Sequence, residues 1–231
     1  MQDKKNFYIN GQWVSPIEPR SFEVINPATE EPCAEISLGG KKDIDAAVTS
    51  AKKAFETWGF TTKEERLNLF EKLYDIYKKN WDQMAKTISL EMGAPIDFST
   101  ELQTKTGASH IKSFKNILKN FKFERTLDEE KNQTILYEPK GVCALITPWN
   151  WPINQVNLKV IPALASACTV VLKPSEIAPL SSMLLAEMID EVKFPAGVFN
   201  LVNGDGAVTG DALTSHPDVD MISFTGSTRA G

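Results

Sequence analysis

The sequence predicts an α/β fold with a parallel sheet and helices on both faces, because short apolar runs alternate with helical patterns from Gly141 onward. The first of these runs, Val142 to Ile146, is almost continuously apolar, as a strand buried on both faces should be. A hairpin signal near the start of the chain, Asn10-Gly11 between two apolar runs, adds a pair of antiparallel strands. The predicted strands of the sheet are Val142 to Ile146, Thr169 to Leu172, Val198 to Val202 and Val219 to Phe224. The helices between them are predicted from about Ile153 to Ala167, from Leu180 to Val192, from Asp211 to Thr214 and onward from Ser227.

Three further helices are predicted before the sheet, and their apolar stripes indicate packing against a core. The first spans about 41 to 59. The second begins at a capping box formed by Thr62 and Glu65 and ends at Gly93. The third lies within 111 to 121.

The segment 121–139 departs from this helical pattern. Charged residues cluster from Glu124 to Lys131, and an extended run, Thr134 to Tyr137, follows them. The residues alone leave two interpretations open, a hairpin arm that projects from the domain or a long surface loop.

Composition limits the class of protein. A length of 231 residues suits one large domain, or one domain and part of another. A net charge of −5, from 25 basic and 30 acidic residues, disfavours nucleic-acid binding through bulk charge. Three cysteines without CxxC spacing indicate free thiols in a reducing compartment, and two histidines exclude a three-histidine metal site. Neither a secretory signal nor a membrane-spanning stretch is visible, so we expect a cytoplasmic protein that binds no membrane.

Ligands of parallel sheets bind at the carboxyl ends of the strands, so the residues that follow each strand are the candidate site. Asn150 follows the first strand, where its amide either stabilises an oxyanion or caps the next helix. Lys173 and Glu176 follow the second strand, where they either bind a ribose or form a solvated turn.

Two glycine-containing segments follow the other strands. Gly204 to Gly210 reads GxGxxxG, one residue off the usual dinucleotide fingerprint, and is either a phosphate-binding loop or a flexible turn. Thr225 to Thr228 opens a predicted helix, whose N-terminal amides favour a phosphate, while Ser227 also suits an N-cap.

These motifs resemble, in order and spacing, those of the NAD(P)-dependent aldehyde dehydrogenase superfamily. The resemblance runs from the N-terminus to Gly231. It implies a Rossmann-like NAD-binding domain formed by 1–120 and 140–231, with 121–139 as an oligomerisation hairpin arm. The matching segments are Ile146 to Pro152, Val171 to Glu176, Phe224 to Thr228, Ile9 to Trp13 and Asn26 to Thr29.

The resemblance also implies a role for each matching residue. Asn150 corresponds to the family's oxyanion-stabilising asparagine, and Lys173 and Glu176 to the pair that holds the adenosine ribose. The expected cofactor is NAD, with NADP as the alternative, since the Glu176 carboxylate would repel a 2′-phosphate. Cofactor contacts are implied for Ile146, Thr147, Pro148, Trp149, Ser175, Gly206, Ala207, Phe224, Thr225, Gly226 and Ser227.

The implied reaction is oxidation of an aldehyde to a carboxylic acid through a thiohemiacetal and a thioester. The family's nucleophilic cysteine and general-base glutamate lie downstream of Gly231, so we expect the N-terminal part of a longer enzyme, inactive by itself. We expect the full-length protein to be a homodimer or homotetramer that acts on a small aldehyde. Two alternatives stay open: a non-catalytic nucleotide-binding or subunit-interaction module, and an acylating semialdehyde dehydrogenase that releases its thioester to coenzyme A.

Overall fold

The computed structural model describes residues 1–128 and 130–231, and the elements named here belong to that part of the chain. The strands are β1 (Gln2–Lys4), β2 (Phe7–Ile9), β3 (Gln12–Val14), β4 (Arg20–Asn26), β5 (Glu31–Leu38), β6 (Glu124–Asp128), β7 (Gln133–Leu136), β8 (Val142–Ile146), β9 (Thr169–Lys173), β10 (Phe199–Leu201) and β11 (Met221–Phe224). The α-helices are α1 (Lys41–Trp58), α2 (Lys63–Lys79), α3 (Trp81–Met92), α4 (Ile96–Phe98), α5 (Lys105–Asn120), α6 (Pro152–Ala165), α7 (Leu180–Val192) and α8 (Asp211–Thr214). Two π-helical segments cover Ser99–Thr104 and Gly206–Gly210.

The main sheet has the strand order β11-β8-β9-β10-β2-β3, and its first four strands are parallel. All four predicted parallel strands are therefore present. The register places Phe224 beside Ile146 and Ile146 beside Lys173. Since parallel strands end at the same edge, the segments that follow these strands are brought together.

Helices cover both faces of this sheet, as predicted. Side chains alternate between the faces along each strand, so each strand contributes to two apolar clusters. One cluster joins the sheet to α1 through Val142, Ala144, Ile146 and Val171. The other joins it to α6 and α7 through Cys143, Leu145, Val170 and Leu172.

The predicted N-terminal hairpin is confirmed, and it extends the main sheet. Asn10 and Gly11 both have positive φ, 54° and 73°, the geometry of a tight turn between β2 and β3. Tyr8 pairs with Leu201 in the antiparallel sense, so the sheet is mixed rather than wholly parallel. This pairing joins β2 to β10, which are far apart in the sequence, so no local sequence pattern predicts it.

Two features differ from the sequence prediction. A separate three-stranded sheet, β1-β5-β4, precedes α1; the apolar run from Phe22 to Ile25 predicts a strand within β4, but not that sheet. The helix predicted across 62–93 is divided at Asn80 into α2 and α3. The Asn80 side chain donates to the carbonyl of Ile76 over 2.9 Å, and such a side chain competes with the continuing helical bonds.

Of the two interpretations of 121–139, the hairpin is found. Strands β6 and β7 pair with each other as a two-stranded antiparallel sheet, and most of their residues are exposed. At the base, Phe121 packs edge-on against Phe123 and Tyr137. Glu129, part of the predicted arm, lies outside the described residues.

The start of α7 is fixed by a buried carboxylate from another helix. Glu91, in α3, is 1% exposed and accepts hydrogen bonds from the backbone N–H groups of Leu180 and Ser181. Burial raises the pKa of Glu91 to about 7, although the hydrogen bonds from Ser181 and Leu180 act in the opposite direction. Because α7 packs against β10, this contact helps to position a strand that ends at the candidate site.

We predict that Glu91→Gln flattens the dependence of folding stability on pH. The folded-state pKa lies above the ordinary 4.5, so the folded protein binds more protons between the two values. The free energy of unfolding therefore falls as pH rises through that window, by roughly 3 kcal/mol for this group. Urea unfolding at pH 5 and pH 8 measures the fall. The exposed Glu191→Gln is the control, and a Glu91→Gln profile as steep as this control would contradict the assignment.

Candidate functional site

The predicted site residues all lie along the carboxyl edge of the parallel strands. Ile146 and Thr147 are buried, whereas Trp149 and Asn150 stand exposed on the loop that follows β8. After β9, Lys173 is buried and Ser175 and Glu176 are half-buried. The remaining positions are half-buried or exposed: Pro148, Gly206, Ala207, Phe224, Thr225, Gly226 and Ser227.

Lys173 connects the segments that follow β9 and β10. Its ammonium group donates to the carbonyls of Pro174, at 3.0 Å, and Gly204, and it lies 3.7 Å from the Glu176 carboxylate. Burial lowers the pKa of Lys173, while the negative charges of Glu176 and Asp205 oppose that shift. The alternative of a solvated Lys/Glu turn is therefore wrong for Lys173, whose side chain is 4% exposed.

The loop from Gly204 to Gly210 is held at several points, so it is not a flexible turn. Asp205 accepts from the Val208 N–H over 2.7 Å and pairs with the guanidinium of Arg20 over 2.7 Å. Burial alone would raise the pKa of Asp205, but these bonds outweigh it and lower the pKa. A Cβ at Gly204 would lie 1.9 Å from the Thr209 hydroxyl, so only glycine fits there.

Gly206 differs from Gly204, because no atom lies within 4 Å of the position that a Cβ would take. Its backbone faces open space at the edge of the sheet. A ligand can therefore approach this part of the loop without displacing a side chain.

Asn150 lies on the loop before α6 and does not cap that helix. Helix α6 begins at Pro152 with Trp151 at the N-cap, and no side chain makes a capping bond there within the described chain. The alternative that Asn150 caps the helix is therefore wrong. The neighbouring Trp151 ring packs edge-on against Phe98, 5.5 Å between centroids, and holds the loop against α4.

Backbone bonds tie the loops to one another across the edge. The N–H of Thr147 donates to the carbonyl of Lys173 over 3.3 Å, and the N–H of Thr225 donates to Ile146 over 3.1 Å. The Thr147 hydroxyl is buried and has no hydrogen-bond partner among the described residues. An unsatisfied buried hydroxyl costs free energy, so this group suits a contact with a bound molecule.

The helix predicted from Ser227 is a single turn over 228–230. The Ser227 carbonyl accepts from Ala230 and Gly231, and its hydroxyl accepts from Ala230 over 3.3 Å, which is the bond of an N-cap. The Phe224 ring lies over Gly226, where a Cβ would stand 2.4 Å from Phe224 Cζ.

The structure joins some predicted residues by direct contacts and leaves others apart. Ile146, Lys173 and Phe224 share one row of the sheet, and Lys173 faces Glu176. Ser175 forms local bonds: its hydroxyl accepts from the N–H of Ile177 over 3.4 Å, and its carbonyl accepts from the N–H of Ala178 over 3.3 Å. Asn150 and Ala207 are exposed on the loops that follow β8 and β10, and β9 lies between these two strands in the sheet.

Sequence reasoning missed two cations. Arg20, in β4, pairs with Asp205, which follows 185 residues later. Lys159, in α6, is half-buried and donates to the Ser223 hydroxyl in β11 over 2.8 Å, and burial lowers its pKa. Neither position carries a motif, so only the folded arrangement identifies them.

Two classes of feature are not found in residues 1–128 and 130–231. No helix there combines the length and apolar character needed to cross a membrane. No three histidine, cysteine, aspartate or glutamate side chains there cluster in a way that could hold a metal ion.

Comparisons with known proteins agree with one another. Residues 13–231 match the sequence model described as "Aldehyde dehydrogenase family". The 3-succinoylsemialdehyde-pyridine dehydrogenase of a Pseudomonas species is 51% identical over 232 residues, covering 100% of this chain and 48% of that protein. An aldehyde dehydrogenase from Bartonella henselae superposes with a TM-score of 0.97 at 58% identity, covering 100% of this chain and 48% of the other.

A mutant of aldehyde dehydrogenase C from Pseudomonas syringae, in complex with NAD+ and octanal, superposes with a TM-score of 0.95 at 45% identity. That alignment covers 98% of this chain and 46% of the other. The chain thus spans about half the length of the relatives it matches.

We predict that Asp205→Ala loosens the loop after β10. It removes the acceptor for the Val208 N–H and the partner of Arg20, at a cost of about 1 kcal/mol for a lost cap. Hydrogen exchange at the Val208 amide should accelerate roughly fivefold. Asp205→Asn keeps an acceptor for Val208 and should restore most of the protection. Equal exchange in Asp205→Ala and the parent protein would show that the bond does not hold the loop.

Proposed function

The chain belongs to the aldehyde dehydrogenase family, and from this premise we propose that it forms the cofactor-binding part of an enzyme that oxidises an aldehyde to a carboxylic acid with NAD. The observation that carries the proposal is the row of Ile146, Lys173 and Phe224 at the carboxyl edge, with Glu176 facing Lys173. The Pseudomonas syringae relative was crystallised with NAD+ and an aldehyde, which supports the same ligand classes here.

The residues present fit a dinucleotide. Glu176 would accept hydrogen bonds from the adenosine ribose, and Lys173, already bonded to both neighbouring loops, would donate to it. Gly206 and Ala207 would lie beside the adenine and Phe224 to Ser227 beside the pyrophosphate, with Ser175 in the loop that holds the ribose. Ile146, Pro148 and Trp149 would contact the cofactor from the loop after β8, together with the Thr147 hydroxyl, which has no hydrogen-bond partner among the described residues. When bound, NAD supplies the hydride acceptor of the oxidation.

Asn150 is the catalytic residue that this chain contributes. Its exposed amide donates a hydrogen bond to the oxyanion that forms when a nucleophile adds to the aldehyde carbonyl. Trp151 packs on Phe98 and so positions the loop that carries Asn150. The proposed reaction also needs a cysteine that forms the thiohemiacetal and thioester, and a glutamate that activates water.

We also infer an oligomer that uses the hairpin arm of 121–139. Leu127 and Leu136 are 59% and 62% exposed on a two-stranded hairpin, which is marginally stable in isolation and gains from pairing with a second subunit. A homodimer or homotetramer in the cytoplasm fits this arm and the free thiols.

We predict that Asn150→Ala lowers kcat of the full-length enzyme by roughly 10²–10³, because one donor to the oxyanion is lost. The assay follows NADH formation with an aldehyde at saturating NAD. Asn116→Ala, on the exposed side of α5, is the matched control and should leave kcat unchanged. An Asn150→Ala enzyme with parental kcat would remove the proposed role of this amide.

A second prediction concerns cofactor choice. Glu176→Gln keeps a hydrogen-bonding oxygen for the ribose but removes the charge that repels a 2′-phosphate. We expect kcat/KM for NADP relative to NAD to rise about tenfold or more in the full-length enzyme, about 1.4 kcal/mol. The exposed Glu23→Gln in β4 should leave the ratio as it is. If kcat/KM for NADP relative to NAD is unchanged in Glu176→Gln, Glu176 does not contact the ribose.

A further inference from the structure

A cavity of about 250 Å³ opens at the base of the hairpin arm, and a buried arginine forms part of its wall. The wall comes from three places: the turn between α1 and α2 with the start of α2, the base of the arm, and the end of α6. The polar and aromatic side chains that line it are those of Thr61, Lys63, Arg66, Phe123, Tyr137 and Ser166.

The Arg66 guanidinium is held by two neighbours that line the same cavity. Arg66 is 3% exposed. Its Nη1 donates to the backbone carbonyl of Thr61 and, over 3.1 Å, to the Thr61 hydroxyl. The guanidinium carbon lies 5.3 Å from the centre of the Phe123 ring, which is a cation–π contact. Since Arg66, Thr61 and Phe123 all border the cavity, the guanidinium lies in its wall.

One edge of this guanidinium lacks a partner. Nε is buried without a hydrogen-bond partner among residues 1–128 and 130–231, and the bonds of Arg66 to those residues all come from Nη1. Nε and Nη2 form one edge of the planar group, and their N–H bonds point in the same direction. A carboxylate fills such a fork with its two oxygens.

The acidic residues near Arg66 do not fill the fork. The negative charges that act on Arg66 are those of Glu65 and Glu64 in its own helix, and they only partly oppose the lowering of its pKa by burial. Glu65 accepts instead from the N–H and the hydroxyl of Thr62, over 2.7 and 2.8 Å. A buried charge without a counter-ion is costly, so an anion in the cavity would relieve that cost.

The rest of the wall also favours an anion. Lys63 is half-buried and adds a second positive charge, and no acidic side chain of the described chain lines the cavity. The hydroxyls are already used, because Thr61 donates to the carbonyl of Trp58 over 2.6 Å and Ser166 donates to the carbonyl of Ala163 over 2.9 Å. The charged groups are therefore the ones left for a ligand.

We propose that this cavity is a binding site for a small organic carboxylate. Its two oxygens pair with Nε and Nη2 of Arg66, and its apolar body packs on Phe123 and Tyr137. The site is independent of the proposed dehydrogenase function. Pro139 and Ala167, which also line the cavity, come just before β8 and β9, so the cavity lies at the amino ends of these strands, opposite the cofactor edge.

Binding joins parts of the chain that are distant in sequence. The ligand touches the start of α2, the base of the arm and the end of α6 at once. The unfolded chain does not offer these contacts together, so the ligand stabilises the folded protein and raises its Tm.

The test titrates the full-length protein at pH 7 and low salt with benzoate in a calorimeter, and follows Tm in parallel. Benzamide has the same shape without the charge, and inorganic phosphate has the charge without the apolar body. We expect benzoate to raise Tm and to bind at least about tenfold more tightly than either. No binding of benzoate, or equal binding of benzamide or phosphate, would overturn the proposal.

Variants assign the binding to this cavity. Arg66→Gln should weaken benzoate binding at least about tenfold. Because Arg66 also holds Thr61, a second variant is needed in case Arg66→Gln does not fold. Lys63→Glu places a carboxylate in the wall and should weaken binding similarly. Lys72→Glu, on an exposed position of α2 outside the cavity, makes the same change in net charge and should keep the parental affinity.

Asn150→Ala separates this site from the proposed aldehyde site, which a carboxylate could also enter. We expect Asn150→Ala to bind benzoate as the parent protein does. If Asn150→Ala loses the binding and Lys63→Glu keeps it, benzoate binds beside Asn150, and the carboxylate site at Arg66 is wrong while the proposed role of Asn150 stands.

Discussion

The edge of the sheet depends on one buried cation, Lys173. Moving an ammonium group out of water costs several kcal/mol unless hydrogen-bond acceptors replace the lost solvent. Those acceptors are the carbonyls of Pro174 and Gly204, with the Glu176 carboxylate close by. Because Pro174 follows β9 and Gly204 follows β10, satisfying this single charge fixes the two loops relative to each other.

The same constraint extends along the edge through backbone bonds. Thr147 donates to the carbonyl of Lys173, and Thr225 donates to the carbonyl of Ile146, so the loops after β11, β8 and β9 form one connected series. The backbone is thereby held while the side chain of Asn150 remains exposed. A rigid backbone that presents free polar groups is the arrangement that binding and catalysis require, since little order must be created when the ligand arrives.

Much of the fold and the location of the candidate site could be predicted, because the sequence patterns that indicate them are local. Asn10-Gly11 specifies a turn by its left-handed backbone, and the alternation of strands and helices places the site at the strand ends. The division at Asn80 could not be predicted, because the apolar periodicity continues across it and the bond from the Asn80 side chain to the carbonyl of Ile76 has no sequence signal. Contacts such as Arg20 with Asp205 join distant parts of the chain and have no sequence pattern of their own.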